Sequence, residues 1–329
     1  MINKLPFELM EYKILIKKPS ETSEKYGCAP EERKTEDIIE YGIVNLDKPK
    51  GPTSHQVSAY VQKILGISKS GHSGTLDPAV TGILPIALGR ATRIVQTLLP
   101  AGKEYICLMH IHKKTEESLL RKVLDDFIGK IRQLPPIKSA VKRVERTREI
   151  YYLEILEIRE QDILFKVGCQ AGTYIRKLCD DIGKKLGCGA HMAELRRTKA
   201  GPFKEDESLS TLHDLTDAFH YYKNENNDKF IRKLILPIEC AVSHLPKMWV
   251  LDTTADSLCH GADLKIPGIS KLNDKIKLND GVAIMTLKDE LIAIGTAKMA
   301  SEDIMKNEKG VAVKIEKVFM QPDSYPRFS

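Results

Sequence analysis

The chain has 329 residues, which is enough for about two domains of ordinary size. Hydrophobic residues make up 42% of it and charged residues 29%, a globular balance that excludes a disordered or fibrous protein. No apolar run approaches the ~18 residues that a membrane span needs. The N-terminal segment has scattered charges and is not predicted to be a secretion signal. We therefore expect no membrane partner.

The seven cysteines are odd in number and include no Cys-x-x-Cys pair. A disulfide framework or a zinc ribbon would require cysteines paired at characteristic spacings. The cysteine pattern therefore predicts a reduced, cytoplasmic protein without a metal centre.

The net charge of +6 is only mildly basic, but the charges are unevenly distributed. The window from Lys48 to Lys103 holds seven bases and a single acid, Asp77, although the whole chain carries 45 acids. A surface with few carboxylates can bind a polyanion such as a nucleic acid, because each carboxylate would repel phosphate. The window therefore predicts a cleft that binds nucleic acid, and its single acid, Asp77, is a candidate catalytic residue.

The chain begins with an arm and a short strand. Residues 1–39 carry many charges of both signs with weak periodicity, which indicates an arm or a short helix. The apolar run at 43–46 stops at the segment DKPKGP, as a strand that enters a turn does.

A helix and a long loop are predicted next. Thr53 or Ser54 is placed to cap the helix, and Gly66 is placed to end it. Residues 67–82 are predicted to form a loop, which the apolar stretch ILPIALG follows. The predicted apolar face of the helix consists of Val57, Tyr60, Val61 and Ile64.

The remainder divides near residue 245. After Pro246, short alternating apolar runs separated by turn residues predict a small all-β module. Before that boundary we predict strands at 108–112, 150–158 and 163–167, a helix at 173–186 and a polar surface excursion at 205–229.

Asp77 is the candidate catalytic residue of the predicted loop. Gly71 and Gly74 permit unusual backbone angles before it, and Pro78 holds it extended. Because apolar residues flank the loop, we expect a partly buried carboxylate, which stays ionised only with a partner. Arg176 is the candidate partner. The alternative is that Asp77 only caps a turn, as Asp before Pro often does.

Several long motifs, in order, resemble one family. They are GIVNLDKPKGPTSH, GHSGTLDPAVTGILPIALGRATR, KEYICLMHIH, AGTYIRKLCDDIG and HMAELRRTKAGPF. These motifs resemble the TruB-type pseudouridine synthases, and most closely their dyskerin branch, the catalytic subunits of box H/ACA ribonucleoprotein particles. The segments HGADLKIPGI and VAIMTLKDELIAIGTAKM resemble the PUA RNA-binding domain of those proteins. The resemblance runs from about residue 41 onwards, and it is closer to the archaeal form because no long Lys-rich tail is present.

The resemblance implies a fold and a reaction. The implied fold is α+β: a mixed, mainly antiparallel sheet flanked by helices, joined to a small all-β PUA barrel. The implied units are an arm at 1–39 that packs on the PUA domain, a catalytic domain at 40–245 and a PUA domain at 246–329. The reaction breaks the nitrogen–carbon glycosidic bond of uridine and rejoins the uracil through a ring carbon. Nothing is oxidised, so no cofactor is expected.

The resemblance also implies roles for single residues. Asp77 matches the essential aspartate, either as a nucleophile on the sugar carbon or as a base that drives elimination, and both alternatives stay open. Tyr105 matches the tyrosine that stacks on the flipped base, and Arg176 the arginine that pairs with the aspartate. His72 matches the histidine that helps to unstack the target. The two further pocket positions are Tyr174 and Leu195.

The implied RNA contacts lie in several separate segments. Residues 138–148 hold five bases and one acid where related proteins carry a thumb loop. Phosphate contacts position an RNA without reading its sequence, so the resemblance assigns the reading to a guide RNA whose ACA end docks on the PUA domain. The predicted RNA-binding residues are Lys48, Lys142, Arg143, Arg146, Arg196, Arg197, His260, Gly261 and Asp263.

The implied partners are the RNA substrate (tRNA or rRNA), a box H/ACA guide RNA, the small proteins of that particle and a kink-turn-binding ribosomal-type protein. The chain departs from the branch in two places: Ala79 stands where Lys is usual, and Ser73 where Gly is common. Both residues flank Asp77 without replacing it.

Two alternative functions stay open. One is guide-independent modification of the T-loop uridine in tRNA. The other is a non-catalytic RNA scaffold, against which the presence of Asp77, Tyr105 and Arg176 argues. A nucleotide-binding enzyme is disfavoured, because the sequence contains no Gly-x-x-x-x-Gly-Lys-Ser/Thr motif.

Overall fold

A computed structural model describes residues 3–135 and 142–327. The helices are α1 Thr35–Tyr41, α2 Ser54–Leu65, α3 Val95–Leu98, α4 Glu117–Asp125, α5 Ile175–Lys185, α6 Leu212–Glu225, α7 Lys229–Leu234, α8 Asp252–Cys259 and α9 Ser301–Lys306. The strands are β1 Ile14–Ile16, β2 Gly42–Lys48, β3 Ser70–His72, β4 Thr81–Leu88, β5 Lys103–Ile111, β6 Gly129–Gln133, β7 Arg146–Arg159, β8 Asp162–Cys169, β9 Ala190–Ala200, β10 Phe203–Lys204, β11 Ile235–Pro237, β12 Lys247–Val250, β13 Leu264–Lys265, β14 Ile269–Asn273, β15 Gly281–Met285, β16 Leu291–Ala297 and β17 Val311–Val318.

The larger sheet has the strand order β11-β2-β4-β9-β5-β8-β7-β6, with β3 paired to β4 and β10 to β9. Its strands pair antiparallel except at β4 and β9, which run parallel. Helices α4 and α5 cover one apolar cluster on this sheet, and α2, α6 and α7 cover another. The predicted mixed, mainly antiparallel sheet flanked by helices is confirmed.

The predicted helix after the first strand is α2. The hydroxyl of Thr53 accepts from the Gln56 amide at 3.1 Å, and the Gln56 side chain accepts from the Thr53 amide at 2.8 Å. This capping box satisfies two amides that the helix leaves unpaired. Gly66 ends the helix in the left-handed region at φ 67°. Tyr60 does not share the buried face as predicted, because the buried stripe follows Val57, Val61 and Leu65 and leaves Tyr60 exposed.

Two other local predictions were wrong. The predicted loop at 67–82 contains β3, which adds to the edge of β4. The predicted polar excursion at 205–229 contains α6, which Thr211 caps by accepting from the Asp214 amide. Only Leu215 and Ala218 of α6 are fully buried, so its apolar stripe is too narrow to stand out in the sequence.

The smaller sheet has the order β1-β14-β12-β15-β16-β17-β13. The predicted small β module is confirmed, and two short helices, α8 and α9, pack against it with buried residues such as Leu258 and Ile304. These helices are only two turns long, too short to show a helical period. The strand β1 comes from the N-terminal arm and pairs antiparallel with β14, from Ile14 opposite Asn273 to Ile16 opposite Lys271.

A continuous apolar core joins the two sheets. Ile43 and Ile83 of the larger sheet share one cluster with Trp249, Met285 and Phe319 of the smaller one. The arm also contacts both sheets, since β1 pairs with β14 and the carboxylate of Glu8 accepts from Lys199 of β9 at 2.9 Å. Within the described ranges, every helix is too short or too polar to cross a membrane.

Candidate active site

Asp77 lies in the turn between β3 and β4, and buried groups hold that turn. The ammonium of Lys48 donates to the carbonyls of Pro49 at 2.8 Å, Pro78 at 3.2 Å and Val80 at 2.9 Å. On the other side of Asp77, the hydroxyl of Ser54 accepts from the amide of Leu76 at 2.9 Å and donates to its carbonyl at 3.2 Å. These hydrogen bonds from buried side chains therefore fix the backbone on both sides of Asp77.

Arg176 reaches Asp77 from the first turn of α5. Its Nη2 donates to Asp77 Oδ2 at 2.9 Å, and the two side chains are 61% and 59% exposed. The predicted partnership is present, but the predicted burial is wrong. The apolar residues that flank Asp77, such as Leu76 and Val80, turn into the core and leave the carboxylate outside. The charged pair is therefore open to a ligand from solvent.

Tyr105 and Arg197 lie opposite each other on β5 and β9. Arg197 is 1% exposed, and its guanidinium donates to the carbonyls of Ile83 at 2.8 Å and Gly74 at 3.2 Å. Its positive charge also acts on the Tyr105 hydroxyl. Burial raises the pKa of Tyr105 above its ordinary value, so the phenol is neutral at physiological pH. Tyr105 therefore lies opposite a buried guanidinium that is itself bonded to the turn that carries Asp77.

His72 ends β3, five residues before Asp77. Its ring packs edge-on against His55 with 5.1 Å between the centroids. Its Nδ1 is buried and has no hydrogen-bond partner in the described structure. Burial lowers the pKa of His72, with His55 as a second cause, so the ring is neutral at physiological pH. His72 is therefore a neutral, half-buried ring beside the turn that carries Asp77.

The two other predicted pocket residues are half-buried. Tyr174 precedes α5, and its amide donates to the side chain of Gln133 at 2.9 Å while its carbonyl accepts from the same side chain at 3.1 Å. Leu195 lies on β9 opposite Cys107 and packs on the cluster under α5. Gln133 was missed by the sequence analysis, and nothing in its sequence context distinguishes it.

Three predicted RNA contacts need correction. Lys48 and Arg197 are buried, and their donors bond main-chain carbonyls, so neither presents charge to a phosphate. Arg196 is engaged by two acids: it donates to both oxygens of Asp47 at 3.0 and 2.8 Å and to Glu205 at 2.5 Å. Lys48 and Arg197 position the Asp77 turn and Tyr105. Arg196 forms an ion-pair network with Asp47 and Glu205.

The remaining predicted RNA contacts are accessible. Lys142 and Arg143 are exposed and Arg146 half-exposed, whereas 138–141 of the predicted thumb lie outside the described residues. In the smaller sheet, His260 lies 3.5 Å from Asp256, and Asp263 accepts from the Ile315 amide at 3.0 Å. Gly261 between them has φ 85° with no atom near the place of a Cβ.

Family models match successive parts of the chain. The model "TruB family pseudouridylate synthase (N terminal domain)" matches 62–175, and "tRNA pseudouridylate synthase B C-terminal domain" matches 176–243. The model "PUA domain" matches 246–319, and "DKCLD (NUC011) domain" matches 2–58. The chain belongs to the TruB family of pseudouridine synthases, which are isomerases.

Relatives match over nearly the whole length. The "Probable tRNA pseudouridine synthase B" of Pyrococcus abyssi is 55% identical over 98% of this chain and 97% of its own. The protein of that name from Nanoarchaeum equitans is 52% identical over 98% and 92%. Among solved structures, "Crystal Structure of a Cbf5-Nop10-Gar1 Complex" aligns with a TM-score of 0.95 and 54% identity over 99% of both chains. "Structure of H/ACA RNP bound to a substrate RNA containing 2'-deoxyuridine" aligns with 0.93 and 51% over 98% and 99%. The expected family and activity are therefore confirmed.

Proposed function

We propose that the chain isomerises uridine to pseudouridine in RNA as the catalytic subunit of a box H/ACA guide particle, with Asp77 as its catalytic carboxylate. The exposed pair of Asp77 and Arg176 carries the catalytic assignment. Asp77 is the single acid between Lys48 and Lys103, its turn is held by the buried Lys48, and its carboxylate is exposed to a nucleotide from solvent. Such a group suits chemistry on a base that has been turned out of its stack.

The chemistry needs one carboxylate in its ionised form. Arg176 donates to Oδ2 of Asp77, and among the described residues no group donates to Oδ1. That oxygen either attacks the sugar carbon or removes a proton from the sugar, and in both routes the glycosidic nitrogen–carbon bond breaks. The detached uracil turns, the sugar carbon bonds to a ring carbon, and the proton on that carbon is released.

The surrounding residues have supporting roles in this proposal. Tyr105 lies opposite Arg197 across β5 and β9 and offers an aromatic ring that can stack on the flipped uracil. His72 contacts the unstacked nucleotide with the accessible part of its neutral ring. Tyr174 and Leu195 line the base pocket.

The full-length alignment with chains of H/ACA complexes supports the particle assignment. Those structures contain Nop10, Gar1 and a substrate RNA, and we propose equivalent small proteins, a guide RNA and a kink-turn-binding ribosomal-type protein as partners here. RNA as substrate also supports a cytoplasmic location. The alternative is guide-independent action on the T-loop uridine of tRNA, which the names of the archaeal relatives favour.

We further propose a division of labour along the chain. Residues 40–245 form the catalytic unit, and residues 246–329 form the PUA domain. Residues 1–39 form an arm that links these two units, with β1 of the arm paired to the smaller sheet. The exposed bases Lys142, Arg143 and Arg146 contact RNA phosphates. The surface after α8 binds the guide end through His260, Gly261 and Asp263.

The test follows tritium released from the uracil ring carbon that becomes attached to ribose. The chain is incubated alone with a labelled tRNA transcript, and then with a guide, a paired target and the partner proteins. Release only in the second mixture supports the guide particle, and release from tRNA alone establishes the T-loop enzyme. Asp77→Asn serves as the control in both. Failure of wild type in both mixtures would refute the proposal.

A further inference from the structure

A buried carboxylate precedes Tyr105 on β5. Glu104 is 6% exposed. Its Oε2 accepts from the hydroxyl of Tyr152 on β7 at 2.5 Å, and its Oε1 accepts from the hydroxyl of Thr198 on β9 at 2.8 Å. Burial of a carboxylate is costly unless hydrogen bonds or an opposite charge compensate for it. Two other strands of the sheet therefore satisfy this acid, which the proposed reaction does not use.

Gly168 makes room for the contact with Tyr152. It lies on β8, opposite Glu104 of β5 on one side and opposite Tyr152 of β7 on the other. A Cβ at this position would lie 2.2 Å from the ring of Tyr152, closer than non-bonded carbon atoms approach each other. The Tyr152 ring thus lies across β8 at a place that a larger residue would block, and its hydroxyl reaches the carboxylate.

The second partner of Glu104 lies at an irregularity of β9. Glu104 pairs with Lys199 and Tyr105 pairs with Arg197, so β9 carries one extra residue, Thr198, between the two pairs. In a regular ladder Thr198 would lie opposite Tyr105, and Arg197 would be displaced by one position to the other face. Such bulges re-aim side chains and are frequent next to active sites. The bulge therefore brings Arg197 opposite Tyr105.

The hydroxyl of Thr198 joins this bulge to Glu104. The extra residue of a bulge leaves the regular hydrogen-bond ladder. The hydrogen bond from Thr198 to Glu104 ties that residue back to β5. Arg197, the next residue, donates to the carbonyl of Gly74 at 3.2 Å and so bonds the turn that carries Asp77. The bonds of Glu104 thus connect β7, through the bulge, with the active-site turn.

A cation and the N-terminal arm complete the surroundings of Glu104. The ammonium of Lys199 lies 3.7 Å from Glu104 Oε2, and it donates to the two oxygens of Glu8 at 2.9 and 3.0 Å. An adjacent cation compensates in part for the burial of a carboxylate. The arm therefore helps to hold the cation beside Glu104.

We propose that Glu104 is a positioning residue for the isomerisation, because it fixes the bulge at Thr198 and thereby the places of Tyr105 and of the Asp77 turn. The inference rests on the proposed function, in which Tyr105 stacks on the flipped uracil. Adjacent residues of a strand face opposite sides, so Glu104 acts from the face away from Tyr105. A misplacement of about 1 Å in an active site costs about a hundredfold in rate. We expect Glu104 to affect turnover and not RNA affinity.

The test compares variants in the mixture in which wild type releases tritium from the labelled uracil. Thr198→Val removes the hydroxyl and keeps a branched side chain, whereas Thr198→Ser keeps the hydroxyl. Glu104→Gln keeps the shape of the side chain and removes its charge. At saturating RNA, Thr198→Val and Glu104→Gln should lower the single-turnover rate by about tenfold or more. Thr198→Ser should keep the wild-type rate, and filter binding should show wild-type RNA affinity in all three variants.

The matched control is Glu290→Gln in the smaller sheet. Glu290 is also 6% exposed, and its Oε2 accepts from the hydroxyls of Tyr325 at 2.6 Å and Thr286 at 3.2 Å. Loss of its charge should lower the melting temperature, as Glu104→Gln does, and leave the single-turnover rate unchanged. The melting temperatures also show which variants are folded in the assay.

Three results would overturn the positioning role alone while wild type is active. They are a wild-type rate in folded Thr198→Val or Glu104→Gln, a loss in Thr198→Ser equal to that in Thr198→Val, and an equal loss in Glu290→Gln. An inactive wild type would overturn the proposed function, and the positioning role with it.

Discussion

Arg176 and Asp77 are 99 residues apart in the chain, yet Nη2 of the one lies 2.9 Å from Oδ2 of the other. The turn before β4 carries the acid and the first turn of α5 carries the base. Both side chains are more than half exposed, so the ion pair contributes little to stability by itself. Because Asp77 is the single acid in its window of the sequence, we infer that the ion pair is present for function rather than for stability.

Asp77→Asn should abolish turnover and leave RNA affinity nearly unchanged. The amide can neither attack the sugar carbon nor remove a proton, so we expect a loss of more than about a thousandfold in tritium release. One neutralised acid does not weaken phosphate contacts made elsewhere. Tritium release and filter binding with the same labelled RNA measure the two quantities.

The matched control is Asp126→Asn, which breaks a comparably exposed pair with Lys185 (2.7 Å) away from the site. It should leave both turnover and affinity unaltered. Near wild-type turnover in Asp77→Asn would remove this residue from the mechanism.

The salt dependence of RNA binding should separate surface bases from buried ones. Arg143→Gln should reduce the slope of log affinity against log salt by about 0.7–0.9, because one phosphate contact is lost. Arg197→Met should leave the slope unchanged, because its guanidinium bonds the carbonyls of Gly74 and Ile83 inside the protein. Its turnover should fall, since the turn that carries Asp77 loses the hydrogen bond from Arg197 to Gly74.

Circular dichroism first confirms that each variant is folded at the assay temperature. A slope that decreased equally in both variants would show that Arg197 reaches phosphate after all, and would restore the prediction made from the sequence.

Lys48→Met should destabilise the protein by about 2–4 kcal/mol. The buried ammonium donates to three carbonyls around the Asp77 turn, and methionine leaves them without that donor. Urea unfolding gives the free energy. Lys50→Met is the control, because Lys50 is exposed two residues later and should change stability by less than about 0.5 kcal/mol. Equal effects in the two variants would mean that the Lys48 bonds have no net value.

The sequence predicted the strand and helix around the first motif because capping residues and apolar spacing agree there. It could not tell apart the neighbours Arg196 and Arg197. Adjacent residues on a strand face opposite sides, so one arginine meets Asp47 outside and the other enters the core. Which of them points inward depends on the pairing of β9 with β4 and β5, and a single sequence does not show that register.

Burial was equally hard to predict. Apolar neighbours indicated a buried Asp77, yet in the folded turn they face the core and Asp77 faces solvent.

The unfolding free energy should depend on pH through His244. Burial, and secondly the charge of Lys103, lowers the pKa of His244 from 6.5 to about 4. Its ring packs edge-on against Phe7 of the arm with 5.9 Å between centroids, and its Nδ1 has no partner in the described structure. The folded state therefore holds this imidazole neutral, whereas the unfolded state protonates it below about pH 6.5.

Between pH 4 and 6.5 the unfolded chain thus binds more protons at this site than the folded chain, so stability rises with pH in that interval. The contribution is complete above about pH 6.5 and is lost towards pH 4, with an upper limit of about 3 kcal/mol. His244→Phe should flatten the wild-type curve of unfolding free energy between these values, measured with urea at several pH values. Carboxylates titrate in the same range, so only the difference between wild type and variant counts. His213→Phe, at an exposed position, should keep the wild-type slope, and an unchanged slope in His244→Phe would show that the imidazole is solvated in the folded protein.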